Sequence, residues 1–86
     1  NCVLPAECLT DQYEQFFLSQ VEPEAAKKAI SKLVPFAQRL TTPQEIAQTI
    51  VFLASDRSSH TTGQLVFVDG GYTHFDRAVG HGHNKW

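Results

Sequence analysis

Methionine is absent from the 86 residues, and cysteine occurs only twice, at Cys2 and Cys8. Two thiols are too few for a disulfide framework or for a four-ligand structural zinc site. Charge of one sign is lacking as well. Seven Lys/Arg against nine Asp/Glu give a formal net charge of −2, which offers no footprint for nucleic acid or an anionic membrane. No apolar run approaches the roughly 20 residues of a membrane span. The expected setting is a cytoplasmic one with both thiols reduced and with neither nucleic acid nor membrane as a partner. The chain opens on Asn1 rather than methionine, and the expectation is that further sequence precedes it. A domain this short buries only about 60% of the surface its unfolded chain exposes, so its independent stability would be marginal.

What is present is a clear order of elements. Asn1-Cys2-Val3-Leu4 is an apolar run stopped by Pro5, as at the end of a buried strand. Thr10-Asp11 offers capping side chains before residues 12–19, where Tyr13, Phe16 and Phe17 recur at helical spacing. Glu22-Pro23-Glu24 starts a second helix, running through Ala25, Ala26, Ala29 and Ile30 to about Leu33, and Val34-Pro35-Phe36 breaks it. Thr42-Pro43-Gln44-Glu45 reads as a capping box. Behind it Ile46, Ala47, Ile50, Leu53 and Ala54 form one apolar stripe, so the spacing predicts a helix over residues 43–55. Residues 56–63 read as a loop. Residues 64–68 read as a strand halted by Asp69-Gly70-Gly71, a tight turn with a structural role. Beyond Tyr72 the periodicity is lost.

Leu65 and Phe67 fall on one face of that second strand, and Val66 and Val68 on the other. A strand apolar on both faces belongs to a parallel sheet covered on both sides. Strand, helices and strand therefore make a βαβ unit, yet 86 residues supply too few helices and strands to cover it. The pattern predicts one end of a larger sheet. His60, His74, His81 and His83 have no acidic or thiol partner at ligand spacing. No metal site is expected, although His81-Gly82-His83 could chelate adventitious nickel or copper.

The ordered series Arg39-Leu40, Pro43-Gln44-Glu45-Ile46-Ala47, Phe52-Leu53-Ala54-Ser55-Asp56, Ser58-Ser59, Thr62-Gly63-Gln64 and Val68-Asp69-Gly70-Gly71 resembles the C-terminal signature of short-chain dehydrogenases/reductases. Residues 1–10 look like that family's strand leading into a Pro-Gly-x-x-x-Thr segment, with Ala6 where the family has glycine. The resemblance covers residues 1–73 and leaves 74–86 as an irregular tail. Within the family the likeness is nearest to L-fucose dehydrogenase-like sugar dehydrogenases. Pro5-Ala6-Glu7, His60-Thr61-Thr62-Gly63-Gln64 and the run from Gly70 to Ala78 carry it.

The resemblance implies an α/β fold, the C-terminal portion of a doubly wound, Rossmann-like parallel sheet, with lid helices after the first strand. It implies NAD or NADP as cofactor, a sugar or other secondary alcohol as substrate, and a homodimer or homotetramer that pairs through helix 43–55 and strand 64–68. It also implies which residues bind. Pro5, Ala6, Cys8 and Thr10 would meet the cofactor, with the backbone around Cys8 at the nicotinamide carboxamide and the Thr10 hydroxyl on the carboxamide or a neighbouring phosphate. Thr10 can serve equally as a helix N-cap. Glu7 and Tyr13 would face the substrate, against the alternatives of an exposed loop acid and ordinary core packing. Tyr13, Phe16 and Phe17 form either a lid over the substrate or part of the core.

The family's Ser and Tyr-x-x-x-Lys catalytic group has no counterpart here. The two tyrosines, Tyr13 and Tyr72, have no lysine four residues on, and no glycine-rich turn opens a helix. No catalytic residue is assigned, and the chain by itself is expected to be inactive. The competing expectation is a non-catalytic interaction module that docks on a full-length relative.

Overall fold

Cys2–Pro5 forms strand β1 and Leu65–Val68 forms strand β2 in the computed structural model, which describes residues 1–74. The two strands pair in parallel, Cys2 opposite Leu65 through Pro5 opposite Val68. Pro5 was expected to stop β1 and is instead its last paired residue. A proline lacks only the N–H, and a strand end can spare it. Parallel strands need a long crossover. Here it holds three helices: α1 (Asp11–Leu18), α2 (Pro23–Ser31) and α3 (Pro43–Leu53).

Each helix starts where the sequence signals it. The Thr10 hydroxyl accepts from the Tyr13 amide at 3.2 Å and caps α1, and Pro23 sits in the first turn of α2. In α3 the capping box is complete: Thr42 Oγ1 accepts from the Glu45 amide at 3.2 Å while Glu45 Oε1 accepts from the Thr42 amide at 2.9 Å. The ends are shorter than expected. After Ser31 the chain tightens into i→i+3 bonds, Leu33 to Ile30 and Val34 to Ser31, which closes α2 before Leu33. Beyond α3 the Ser58 hydroxyl donates to the carbonyls of Leu53 and Ser55 at 2.9 and 3.0 Å, so the expected loop 56–63 begins with a 3-10 turn, Asp56–Ser58.

The helix α3 lies on one face of the sheet, where Val3, Ile50, Leu53 and Ala54 line a common groove. By the strand period Val66, the partner of Val3, shares that face. The opposite face of β2 is bare. Leu65 is 66% and Phe67 47% exposed, and on the far side of α3 Val51 is 66% exposed. Among the described residues, the strand that reads as covered on both sides is covered on one. Apolar surface of this extent marks a site of further packing.

The small core sits elsewhere, where α1 meets the segment after α2: Phe17, Val34 and Leu40 are its buried apolar residues. Gly70 closes it from the β2 side. At φ 61 it takes a backbone conformation that favours glycine, and an added Cβ would lie 2.6 Å from Val34 Cγ1. The Phe36 amide donates to the Gly70 carbonyl at 2.9 Å. Asp69, also buried, accepts from the Gly71 and Thr73 amides at 3.0 and 2.9 Å and from the Thr73 hydroxyl. Burial opposes its ionisation, but these donors and nearby His74 outweigh burial and hold the carboxyl below its ordinary value. The Asp69-Gly70-Gly71 turn is thus built as structure. Of the expected tail 74–86, His74 ends a 3-10 turn that begins at Tyr72, and the remainder, with His81 and His83, lies outside the described residues.

No helix among the described residues is long and apolar enough to cross a membrane, and they hold no cluster of metal-ligating side chains.

Candidate functional site

Past the carboxyl end of β1 the chain turns at Glu7, whose φ of 49° lies in the left-handed region. That conformation costs a non-glycine residue roughly 1–2 kcal/mol. The family's glycine aligns with Ala6, yet the positive φ falls one residue later, on Glu7, and Ala6 does not share it. The turn is held from below by a second, one-residue parallel bridge between Cys8 and the buried Thr41. The Thr41 amide donates to the Glu7 carbonyl at 3.0 Å and the Leu9 amide donates to the Thr41 carbonyl at 2.8 Å.

That pattern uses the residues on either side of Cys8 and leaves Cys8 itself unused. Among the described residues neither its N–H nor its C=O has a hydrogen-bond partner. Cys8 is half-buried at the edge of an open depression, so both backbone groups are available to water or to a ligand. The Cys8 thiol is pushed above its usual value, by burial first and then by the Glu45 carboxylate, so it is a poor thiolate and a poor nucleophile.

Cys8 opens into a cavity of about 540 Å³ lined by Glu7, Cys8, Thr10, Gln12, Tyr13, Phe16 and Ile30. Four residues singled out from the sequence, Glu7, Cys8, Thr10 and Tyr13, therefore meet at one place. Pro5 and Ala6 are not among the lining residues; they carry the chain from β1 to the cavity edge. Thr10 is both cap and lining: its oxygen accepts from the Tyr13 amide, and its hydroxyl hydrogen goes to no described residue.

Glu7 and Tyr13 touch each other. The Tyr13 hydroxyl donates to Glu7 Oε2 at 2.5 Å. Burial, followed by this bond and the Glu7 charge, pushes the Tyr13 phenol up to about 12. It stays protonated at neutral pH and acts as a donor, not as a base. Its ring stacks on Phe17 at 4.6 Å between centroids and lies 5.8 Å from Phe16. The aromatic group thus divides its roles: Phe17 is core, while Tyr13 and Phe16 line the cavity. The α2 helix is tied to α1 by the Lys27–Glu14 ion pair at 3.2 Å and lends Ile30 to the wall. Sequence reasoning did not single out Gln12 and Ile30 as lining residues. Ile30 shows only as part of an apolar helix, and Gln12 gives no signal at all.

Comparison with known proteins gives the family of the chain. A family model described as enoyl-(acyl carrier protein) reductase matches residues 1–73. The chain is 47% identical over 71 residues to the 3-oxoacyl-[acyl-carrier-protein] reductase FabG of Thermotoga maritima, covering 83% of this chain and 26% of that protein. It is 46% identical over 52 residues to the 2-keto-3-deoxy-L-fuconate dehydrogenase of Xanthomonas campestris, covering 60% of this chain and 17% of that one. Among solved structures, the crystal structure of Cj0485 dehydrogenase superposes with a TM-score of 0.85 at 43% identity, over 92% of this chain and 30% of its own. The chain thus spans less than a third of each of these proteins.

Proposed function

Because the chain belongs to the short-chain dehydrogenase/reductase family, we propose that it is the C-terminal βαβ unit of an NAD(P)-dependent oxidoreductase acting on a sugar or another secondary alcohol. The observation that supports this most is the unpaired backbone of Cys8. A free N–H beside a free C=O complements a primary carboxamide, which offers one acceptor and two donors. In this reading the Cys8 amide and carbonyl would hold the nicotinamide carboxamide, the first as donor and the second as acceptor. The Thr10 hydroxyl donates to the carboxamide or to the adjoining phosphate. Pro5 and Ala6 fix the backbone path into this contact. The position agrees with the general placement of ligands beyond the carboxyl ends of parallel strands.

The cofactor supplies the hydride acceptor. This chain's residues bind and orient: Cys8 and Thr10 hold one end of the site, Glu7 accepts from substrate hydroxyls, and Tyr13 and Phe16 narrow the opening. No residue here supplies the acid/base group, so the 86 residues alone are inactive in this proposal. Leu65, Phe67, Val51 and Phe52, exposed in the described structure, would be covered by the rest of the sheet and by a second copy in a dimer or tetramer. The similarity to enzymes across residues 1–73 favours this reading over a docking module.

Thr10 provides the test, made on the intact enzyme that contains this segment. Thr10→Val removes the hydroxyl and is expected to raise the KM for the cofactor about tenfold, the loss of one hydrogen bond to a charged or polarised group. Thr10→Ser should restore most of it. A cofactor KM unchanged in Thr10→Val would refute the contact.

A further inference from the structure

Tyr72 lies far along the chain from Tyr13, yet the fold brings the two phenols near each other. Burial first, then the bond to Glu7 and the Glu7 charge, raise the Tyr13 phenol, and Tyr72 adds to them: a charge on one ring opposes ionisation of the other. Such an influence needs proximity, because it fades quickly across water. Tyr72 is half-buried and stands outside the cavity lining, while Tyr13 and Glu7 belong to it. Its way of acting on a ligand is therefore through Tyr13.

The turn before Tyr72 brings it there. Asp69 takes the Gly71 and Thr73 amides and the Thr73 hydroxyl on its carboxylate, and the Tyr72 amide donates to the Asp69 carbonyl at 3.1 Å. This turn is pinned to the segment that follows α2. The Phe36 amide donates to the Gly70 carbonyl at 2.9 Å, a Cβ on Gly70 would lie 2.6 Å from Val34 Cγ1, and one on Gly71 would lie 3.6 Å from Pro35 Cβ. Val34 is buried in the same core as Phe17, on which Tyr13 stacks at 4.6 Å. Both tyrosines are thus fixed to one core, Tyr13 through α1 and Tyr72 through the turn after β2. A side chain held from two directions has less freedom to lose when a ligand meets it.

The geometry points to Tyr72 as a positioning residue: carried by the Asp69-Gly70-Gly71 turn, it keeps the Tyr13 hydroxyl on Glu7 and so ties the end of β2 to the substrate side of the cavity. This deepens the oxidoreductase reading above and rests on it. The turn after β2 thereby has two tasks, closing the core at Gly70 and placing Tyr72.

The test is a double-mutant cycle on the intact enzyme, with L-fucose as substrate and NAD and NADP each as cofactor. Tyr72→Phe keeps the ring, and with it the packing of the turn, and removes the hydroxyl. It is expected to raise the L-fucose KM about threefold while kcat and the cofactor KM hold, the signature of a weakened ground-state contact. In a Tyr13→Phe background the same change should add nothing, since no Tyr13 hydroxyl is left to place. In protein isotopically labelled at tyrosine Cζ, the Tyr13 resonance of Tyr72→Phe should titrate below its wild-type value of about 12 and still above the ordinary 10, because burial and Glu7 remain. An L-fucose KM unmoved by Tyr72→Phe, or an equal rise with and without the Tyr13 hydroxyl, overturns the role of Tyr72 and leaves the oxidoreductase reading standing. So does a fall in kcat with a rise in both KMs, which marks a merely structural residue. L-fucose that reduces neither cofactor counts against the sugar-oxidising reading. The Tyr13 titration then decides Tyr72 by itself, and an unmoved resonance overturns its role.

Discussion

Two glutamates, Glu45 at the start of α3 and Glu7 at the end of β1, show how differently one side chain is used in two regions of this molecule. Glu45 spends its acceptors locally. Arg39 grips both its oxygens at 2.9 and 2.7 Å, and the Thr42 amide and hydroxyl reach Oε1 at 2.9 and 3.1 Å. The Arg39 fork first, with the Thr42 amide next, holds its carboxyl down at about 2. The Glu7 carboxylate has one donor among the described residues, Tyr13, and its other oxygen faces the cavity without a partner there. A carboxylate saturated by its own helix cap is structure. One left half-satisfied on a strained turn is available to a ligand.

The largest expected effect that would break this contrast is on Tyr13. Tyr13→Phe keeps the ring stack and removes the one donor to the Glu7 carboxylate among the described residues. The KM for a neutral sugar is expected to rise about tenfold with little change in kcat, because a ground-state contact is lost. A kcat loss of the same size would mean that Tyr13 serves the chemical step. Next comes Thr42→Ala, which removes the cap of α3 and should cost about 1 kcal/mol in a denaturant titration. Neither KM should move, since Glu45 lies outside the cavity lining.

The smallest effect is in the acid titration of Glu45. Its folded-state value lies below its ordinary 4.5, so the contribution it makes to stability is present above pH 4.5 and is lost as the pH falls toward 2. In Arg39→Gln, the Glu45 carboxyl followed by NMR should titrate nearer 4.5, with substrate preference untouched. An unshifted titration would show that Thr42 alone holds Glu45.

The same contrast explains what could be read from the sequence. The α3 cap is written in four consecutive residues, Thr42 to Glu45, because capping is a local matter of spacing. The Thr10 cap and strand β2 were legible for the same reason, as were Glu7, Cys8, Thr10 and Tyr13 as a group through their resemblance to a family segment. The turn at Glu7 was not. Alanine at position 6, where the family has glycine, left open whether the turn takes a positive φ at all; it takes one at Glu7 and is held by Thr41, far along the chain. The left-handed residues Ala37 and Gln38 gave no sign either, for neither is a residue type that seeks that conformation. Strand β2 was recognisable as apolar on both faces, but the alternation of Leu65, Val66, Phe67 and Val68 cannot say which face α3 takes. Long-range pairing decides such features, and a local pattern carries little of it.

Cys8 is where the proposal meets its most direct measurement: a crystal structure of the intact enzyme with oxidised cofactor bound. The nicotinamide carboxamide is expected within hydrogen-bonding distance of both the Cys8 amide and the Cys8 carbonyl. A nicotinamide seated elsewhere, with those two backbone groups paired to other parts of the protein, would contradict the assignment of this turn as the cofactor contact.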